Sequence, residues 1–184
     1  MHHDGVRTER LLLRPLCAAD AEAVCAGIAD WEVMRWLSQP PWPYTLQDAI
    51  EFIQSCSEGE PSNTNLALAL DGGAIGVIGL RVNAAGRAQR GPGPNLGYWL
   101  GRSYWGRGCM TEAAHALLAR AFAGGVGDTI YSGAFADNAA SLRVQAKLGF
   151  VRDGETMVHA KPRGADFPHI DTRLTRSAFE AQGR

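Results

Sequence analysis

Residues 104–113 read "YWGRGCMTEA", with two glycines around an arginine just ahead of a helical run. A strand, then Trp105-Gly106-Arg107-Gly108, then a helix is an order that aims backbone N–H groups at an anion. The first turn of a helix carries unpaired donors and a partial positive charge. Glycines let phosphate oxygens come close to the backbone. Arg107 offers a charge-assisted contact. Glu112 suits the helix dipole but repels phosphate, so it is expected to point away. A P-loop would need Gly-Lys-Ser/Thr, which does not occur. A dinucleotide fingerprint would need a third glycine where Thr111 stands. A tight glycine turn with no ligand remains the alternative.

The elements that must hold this loop read outward from it. "LGYWL" (96–100) is a strand before it, and a helix follows to about Phe122. Upstream, "LALAL" (66–70) and "AIGVIGLRV" (74–82) flank Asp-Gly-Gly, a hairpin signal. "NAAGRAQRGPGPN" (83–95) reads as loop. Downstream, "TIYSGAF" (129–135) is a strand. "NAASLRVQAKLGF" (138–150) is a helix with Asn138 as N-cap and Gly149 as its stop. Phe150 sits where the hydrophobic contact of a Schellman ending belongs. Segments near 155–160 and 169–175 read as a closing pair of strands.

At the start of the chain, "RLLLRPL" (10–16) is an opening strand ended by Pro15. Residues 18–37 look helical, in two pieces. "SQPPWPYT" (38–45) cannot be helix, because prolines remove donors and fix the backbone. Thr45 caps the next helix with Asp48 three residues on. Leu46, Ala49, Ile50 and Ile53 line one face of that helix. The order predicts an α/β (α+β) sandwich built on one mostly antiparallel sheet, with no linker that divides it.

Composition narrows the classes. The 184 residues suit one domain with a proper core. Eighteen basic and nineteen acidic residues give a formal net charge of −1, so no general pull towards nucleic acid or anionic lipid is expected. Cys17, Cys25, Cys56 and Cys109 form no CxxC pair, which argues against a zinc site or disulfide framework and for free thiols in a reducing compartment. No apolar run approaches the ~18–20 residues that span a bilayer. "MHHDGVRTER" lacks the apolar core of a signal peptide. A cytoplasmic protein, monomer or homodimer, with no metal, is the expectation.

"LGYWLGRSYWGRGCMTEAAHALLARAF" followed by "ADNAASLRVQAKLGFVRDGE" closely resembles the GNAT superfamily of acetyl-CoA-dependent N-acetyltransferases. It is most similar to the ribosomal-protein-alanine branch, the RimJ/RimL type. "TERLLLRPLCAADAEAV" and "PPWPYTLQDAIEFI" fit that branch too. The resemblance covers about residues 7–175, implying one acetyltransferase domain there with 1–6 and 176–184 as extensions. It implies the GNAT fold: a mixed, mostly antiparallel sheet with helices on both faces and a splayed strand pair that receives acetyl-CoA.

The family's pyrophosphate loop reads Gln/Arg, two residues, Gly, one residue, Gly/Ala. Trp105, Gly106, Arg107, Gly108, Cys109 and Met110 fill those positions, with Thr111 next. Gly108 matches. Trp105 replaces the polar opener, and Met110 replaces a small residue, where it either crowds the loop or packs beneath it. In the second motif the resemblance puts Asn138 at the pantetheine arm, Ser141 near the sulfur and Lys147 towards the nucleotide. It also implies that strands 74–82 and 96–100 splay apart, with an N–H near Trp99 or Leu100 as oxyanion donor. Ser141 would hydrogen-bond the departing thiolate. Asn138 as a mere helix cap and Lys147 as a solvated charge are the structural alternatives.

Acetyl transfer to an amine needs a neutral amine, a stabilised oxyanion and a proton for the thiolate. No carboxylate base stands out. Arg81 and Asn83 are the polar side chains near the end of 74–82, and Asn95 precedes "LGYWL". None of these three is a carboxylate, which leaves Tyr44, His159, His169 and Asp171 as the candidate participants. At pH 7 a lysine amine is neutral in about one molecule in 2500, costing ~4.6 kcal/mol, whereas an α-amine costs only ~1 kcal/mol. A site without a strong base therefore suits a peptide or protein N-terminus, or a small molecule with a weakly basic amine, unless a carboxylate from elsewhere folds in. Trp42 and Tyr44 of the proline-rich segment are expected to wall the acceptor pocket, with Trp31 and also Trp36. The 159–169 segment is expected to form the opposite wall as a hairpin tip. The expected function is acetyl-CoA-dependent transfer to a primary amine, preferably an α-amine. Small-molecule or antibiotic acetylation, and a non-catalytic acyl-CoA-binding module on the same fold, are the alternatives.

Overall fold

The computed structural model describes residues 5–58, 63–82 and 93–182. The elements run β1 (Val6–Arg7), β2 (Leu12–Pro15), α1 (Ala21–Ile28), α2 (Trp31–Met34), α3 (Leu46–Glu58), β3 (Thr64–Leu70) and β4 (Gly73–Arg81). Then follow β5 (Asn95–Leu100), α4 (Cys109–Ala123), β6 (Thr129–Phe135), α5 (Ala139–Lys147), β7 (Val151–Ala160), β8 (Ala165–Thr175) and α6 (Arg176–Gln182). The eight strands form one sheet in the order β1-β2-β3-β4-β5-β6-β8-β7. Neighbours pair antiparallel except β5 and β6, which run parallel. This is the mixed, mostly antiparallel sheet of the expected fold.

Local chemistry explains the elements. The β3–β4 turn has positive φ at both Asp71 (50°) and Gly72 (89°), the double left-handed turn that Asp-Gly permits and that matches strand twist. Thr45 and Asp48 form a reciprocal box at the start of α3. The Thr45 N–H donates to Asp48 Oδ2 at 2.8 Å, and the Asp48 N–H to Thr45 Oγ1 at 3.2 Å. Asn138 Oδ1 accepts from the Ser141 N–H at 3.1 Å, and Gly149 (φ 86°) ends α5. The Phe150 N–H reaches Gln145 O at 3.0 Å, the long bond of a Schellman ending. The closing strands are longer than the sequence suggests, and β1 and α6 are additions to it. The 83–95 loop falls at 83–92 outside the described residues.

The core lies on both faces of the sheet. On one face, Leu13, Leu68, Ile78, Leu96 and Ile130 pack under Ala114, Leu117, Leu118 and Phe122 of α4. On the other, Val77 meets Ala21 and Val24 of α1 and Ala49 and Ile53 of α3, with Tyr44, Phe52 and Trp99 against them. All four cysteines are free thiols.

One expectation is corrected. Strands 74–82 and 96–100 do not splay: β4 and β5 pair along their length, from Gly76 with Leu100 to Arg81 with Asn95. The opening lies on the other side of β5, which among the described residues pairs with β6 only at Asn95 and Tyr131. Each of these two strands has a full antiparallel partner on its outer side, β4 for β5 and β8 for β6. Two ladders that are each satisfied can twist apart where they adjoin. The Ser132 hydroxyl, donating to Leu96 O at 3.0 Å, is the last stitch before the gap.

Candidate active site at the strand gap

Ladder parity decides which backbone groups face the gap. The Gly101 N–H donates to Ile75 O at 2.9 Å, so Gly101 and Ile75 form a hydrogen-bonded pair in the β4–β5 register. Antiparallel pairs alternate, so Trp99 and Gly97 also turn their N–H groups to β4, and Leu96, Tyr98 and Leu100 turn theirs towards β6. Of the two expected donors, Leu100 faces the gap and Trp99 does not. The Trp99 ring instead packs over Gly27, with Cζ3 2.9 Å from where a Cβ there would stand. The Leu100 carbonyl is taken by the Trp105 indole N–H at 2.7 Å. That bond gives Trp105 a role of its own, tying the glycine loop to the end of β5.

The loop is pinned from below and open above. Gly106 (φ 73°) and Gly108 (φ 79°) hold left-handed conformations, and Gly108 is the N-cap of α4. A Cβ on Gly106 would meet nothing within 4 Å, and on Gly108 only Arg10 Nη2 at 3.5 Å. The first intrahelical bond is Glu112 N–H to Gly108 O, which leaves the N–H groups of Cys109, Met110 and Thr111 ahead of it. Glu112 points away as expected. It accepts from Thr8 Oγ1 at 2.5 Å and from Arg10 Nε at 2.7 Å. Desolvation pushes its carboxyl up, but the bonds from Thr8 and Arg10 together with the Arg10 charge outweigh this and hold it below the ordinary range. Arg10 Nη1 also donates to Arg107 O at 2.8 Å, clamping the loop to the first strands. Met110 is buried in the α4 core, so it packs beneath the loop.

Across the gap stands α5. Ser141 Oγ lies 2.9 Å from the Tyr98 hydroxyl and accepts from Gln145 Nε2 at 3.3 Å. Thr172 Oγ1 donates to Gln145 Oε1 at 2.7 Å. Gln145 and Thr172 are buried, so this is a closed chain of neutral hydroxyls and one amide. Burial pushes the Tyr98 phenol up, against its hydrogen bonds with Ser141 and Gln145. Tyr98, Gln145 and Thr172 escaped the sequence reading. Spacing could have found Gln145, one helical turn after Ser141, but nothing local points to Thr172.

A cavity of about 1130 Å³ joins these parts. It is lined by Trp99, Leu100, Trp105, Gly106, Gly108, Cys109, Met110 and Thr111 of the loop side, and by Asn138, Ser141 and Lys147 of α5. The Asn138 side-chain oxygen is spent on the helix cap. Arg107 is not in the lining; its guanidinium sits 5.7 Å over the Tyr104 ring.

Of the aromatics expected to wall an acceptor pocket, Trp36 and Tyr44 line the cavity but Trp31 and Trp42 do not. Those two pair with each other, ring centroids 5.0 Å apart, and remain 38% and 42% exposed. The reason is helical: α2 buries Val33 and Met34, which turns Trp31 outward, and Trp42 covers it there. Burial and the nearby Asp48 charge raise the Tyr44 phenol to about 12, so it stays protonated. Of the 159–169 segment expected as the opposite wall, only His169 lines the cavity; the tip between β7 and β8 instead ties to the proline-rich segment, the Lys161 N–H donating to Ser38 O at 3.0 Å. Arg163 anchors it, buried over Phe167 (3.6 Å) and Phe135 (4.3 Å), its Nε and Nη2 without hydrogen-bond partners among the described residues. Of the remaining candidates, His169 and Asp171 line the cavity, whereas His159 pairs with Asp166 on the exposed hairpin.

Among the described residues no helix is long and apolar enough to cross a membrane. Comparison with known proteins agrees with the architecture. The profile of the acetyltransferase (GNAT) domain matches residues 10–151. An uncharacterised N-acetyltransferase, p20, of Bacillus licheniformis is 28% identical over 162 residues, covering 85% of this chain and 88% of that protein. A second, YoaA of Bacillus subtilis, is 26% identical over 153 residues, 81% of this chain and 84% of its own length. Among solved structures, Mycobacterium smegmatis RimJ in complex with CoA-disulfide superposes with a TM-score of 0.82 at 22% identity, covering 100% of this chain and 96% of that one. The ribosomal-protein-S5-alanine acetyltransferase from Vibrio fischeri gives 0.76 at 20% identity, with 94% and 96% covered. With its sheet, its gap and the family profile spanning most of its length, the chain belongs to the GNAT acetyltransferase family and is an acyltransferase.

Proposed function

We propose that residues 7–175 act as one domain that transfers acetyl from acetyl-CoA to a primary amine, preferably the α-amine of a peptide or protein. The observation that carries this is the β5–β6 gap, with the Leu100 N–H facing it and the Ser141–Tyr98 hydroxyl pair at its edge. The residues present fit acetyl-CoA. The open face above Gly106 and Gly108, the free N–H groups of the first turn of α4 and the nearby Lys147 suit a pyrophosphate and nucleotide. The gap-facing edge of β5 suits the amides of a pantetheine arm. Bound there, acetyl-CoA supplies an activated acyl group.

The chain's own groups then divide the work. The Leu100 N–H stabilises negative charge developing on the thioester oxygen. Ser141, held by Tyr98 and Gln145, hydrogen-bonds the sulfur as it becomes thiolate. Trp36 and Tyr44 wall the acceptor entrance. The preference for an α-amine follows from its larger neutral fraction at pH 7, and the likeness to RimJ and to a ribosomal-protein-alanine acetyltransferase accords with it. Thiol release from acetyl-CoA across N-terminal peptides, free lysine, polyamines and aminoglycosides tests the reading. Fastest release with free-N-terminus peptides is the expected result; a small molecule that outpaces every peptide would replace it.

A further inference from the structure

One ionisable cluster in the cavity is unused by the chemistry above. His169 and Asp171 lie two residues apart on β8 and share a face of the sheet. His169 Nδ1 is 2.9 Å from Asp171 Oδ1, with the two side chains 2% and 8% exposed. A carboxylate can only accept, so the imidazole carries its proton on Nδ1 and Nε2 is the basic nitrogen. The ring lies against Gly133 of β6, where a Cβ would stand 2.4 Å from Cε1, so that glycine makes room for it. Phe135 packs edge-on to the ring at 5.7 Å. The His159–Asp166 pair is the contrast: it is closer, at 2.7 Å, but well exposed and away from the cavity.

We propose that His169, held by Asp171, is the base that takes the proton from the attacking amine. This rests on the acetyl-transfer reading and adds a residue to it. The amine nitrogen bonds to the thioester carbonyl carbon, the C–S bond breaks, and the surplus N–H proton passes to Nε2 of His169. The thiolate leaves beside Ser141 and takes one proton from solvent, and His169 returns its own. Amine and thioester thus become amide and thiol with no net proton change. Asp171 is a positioning residue that sets the tautomer and favours the imidazolium.

A base that takes the proton in the bond-forming step leaves the neutral fraction of each amine unchanged, so the α-amine preference stands as that fraction sets it. The charged groups near His169 include Asp171 on its own strand, Arg163 stacked on the same Phe135, and Asp137 just beyond β6, paired with Arg163. Its ladder partners, Phe135 on β6 and Thr156 on β7, do not titrate.

The test uses the full chain with His169→Gln and Asp171→Asn. Thermal unfolding and calorimetry with acetyl-CoA come first, and both variants should keep the wild-type affinity within about twofold. His169→Gln should then lower kcat on a peptide α-amine by about 10²–10⁴-fold and abolish the base inflection in its pH profile. Asp171→Asn should lower kcat less, by about 10–100-fold. It should also move that inflection, and the NMR titration of the His169 Cε1 proton, to lower pH, because a neighbouring negative charge is gone. A folded His169→Gln variant within threefold of wild-type kcat overturns the proposal. So does Asp171→Asn leaving both the pH profile and the NMR titration unmoved, which decides the matter if His169→Gln does not fold. A wild-type protein that releases no thiol with any amine defeats the acetyl-transfer reading itself, a different result from an active wild type matched by its variant.

Discussion

The two ends of the cavity are built on different principles. The loop end is made of backbone: two left-handed glycines, the first turn of α4 and the gap-facing edge of β5. The proposed acceptor end is made of side chains from distant parts of the chain: Trp36, Tyr44, His169 and Asp171, with Arg163 bracing the hairpin behind them. Even the staples differ. Arg10 and Glu112 pin the loop end at the surface, while Arg14 grips the buried Asp20 with two 2.7 Å bonds at the start of α1. Backbone recognition suits a ligand that is the same in every reaction cycle. Side chains assembled from afar can vary with the acceptor while the loop stays as it is.

If that division is right, the largest effect lies in acceptor choice. Peptides with a free α-amine and a small first residue should exceed an N-terminally blocked peptide bearing one lysine by over two orders of magnitude in kcat/KM at pH 7. The difference in neutral fraction alone is ~3.5 kcal/mol. The α-amine rate should rise with pH and level off near pH 8. Equal efficiency on the blocked peptide, measured by thiol release, would break the assignment of the acceptor end.

Next comes the loop. Gly108→Val should weaken acetyl-CoA binding by at least about 100-fold in calorimetry, since a branched residue is strained at φ 79° and would distort the N-cap of α4 and the loop it holds. The expected profile is lost affinity in a folded protein. Unchanged affinity would mean that the glycines serve only the turn.

Ser141→Ala should act on kcat more than on affinity, lowering turnover about 10–100-fold with acetyl-CoA binding nearly intact, because its bond strengthens as the thiolate forms. Tyr98→Phe should give part of that loss, since it removes one partner of the same hydroxyl. A Ser141→Ala variant with wild-type turnover at saturating substrates would leave the α5 side without a chemical role.

The smallest effect concerns the staples. The Arg14 hydrogen bonds hold the Asp20 carboxyl below its ordinary range, against desolvation. A depressed carboxylate contributes stability that is complete above its unfolded pKa of ~3.9 and is lost as pH falls through the folded value. Asp20→Asn should cost about 1–2 kcal/mol near pH 6, trimmed by the partial exposure of Arg14, and close to nothing at the acid end. Urea midpoints measured from pH 6 downward check this; a gap that stays constant with pH would show that packing, not charge, makes the pair matter.

How much of this was legible beforehand depends on distance along the chain. The β3–β4 turn, the Thr45–Asp48 box, the Asn138 cap and the Schellman end of α5 are set by residues within a few positions of each other. Their chemistry can be read in order. The same holds for Gly106 and Gly108, whose conformational freedom and place before a helix announce an open backbone. The general outline of the sheet followed from strand signals and from the resemblance.

Tertiary structure alone decided the rest. Which side of β5 opens depends on β6 finding a full partner in β8, a pairing over some 40 residues that no local pattern encodes. That choice, through ladder parity, assigns Leu100 and not Trp99 to the gap. Trp31 and Trp42 look like pocket walls in sequence, yet the burial of Val33 and Met34 turns them to the surface. The Ser141–Gln145–Thr172 chain and the cavity that His169 and Asp171 share with α5 join elements far apart in sequence. Sequence determines conformations that a few neighbouring residues can impose by sterics and hydrogen bonding; which distant side chains meet is decided only when the whole sheet and its two cores close.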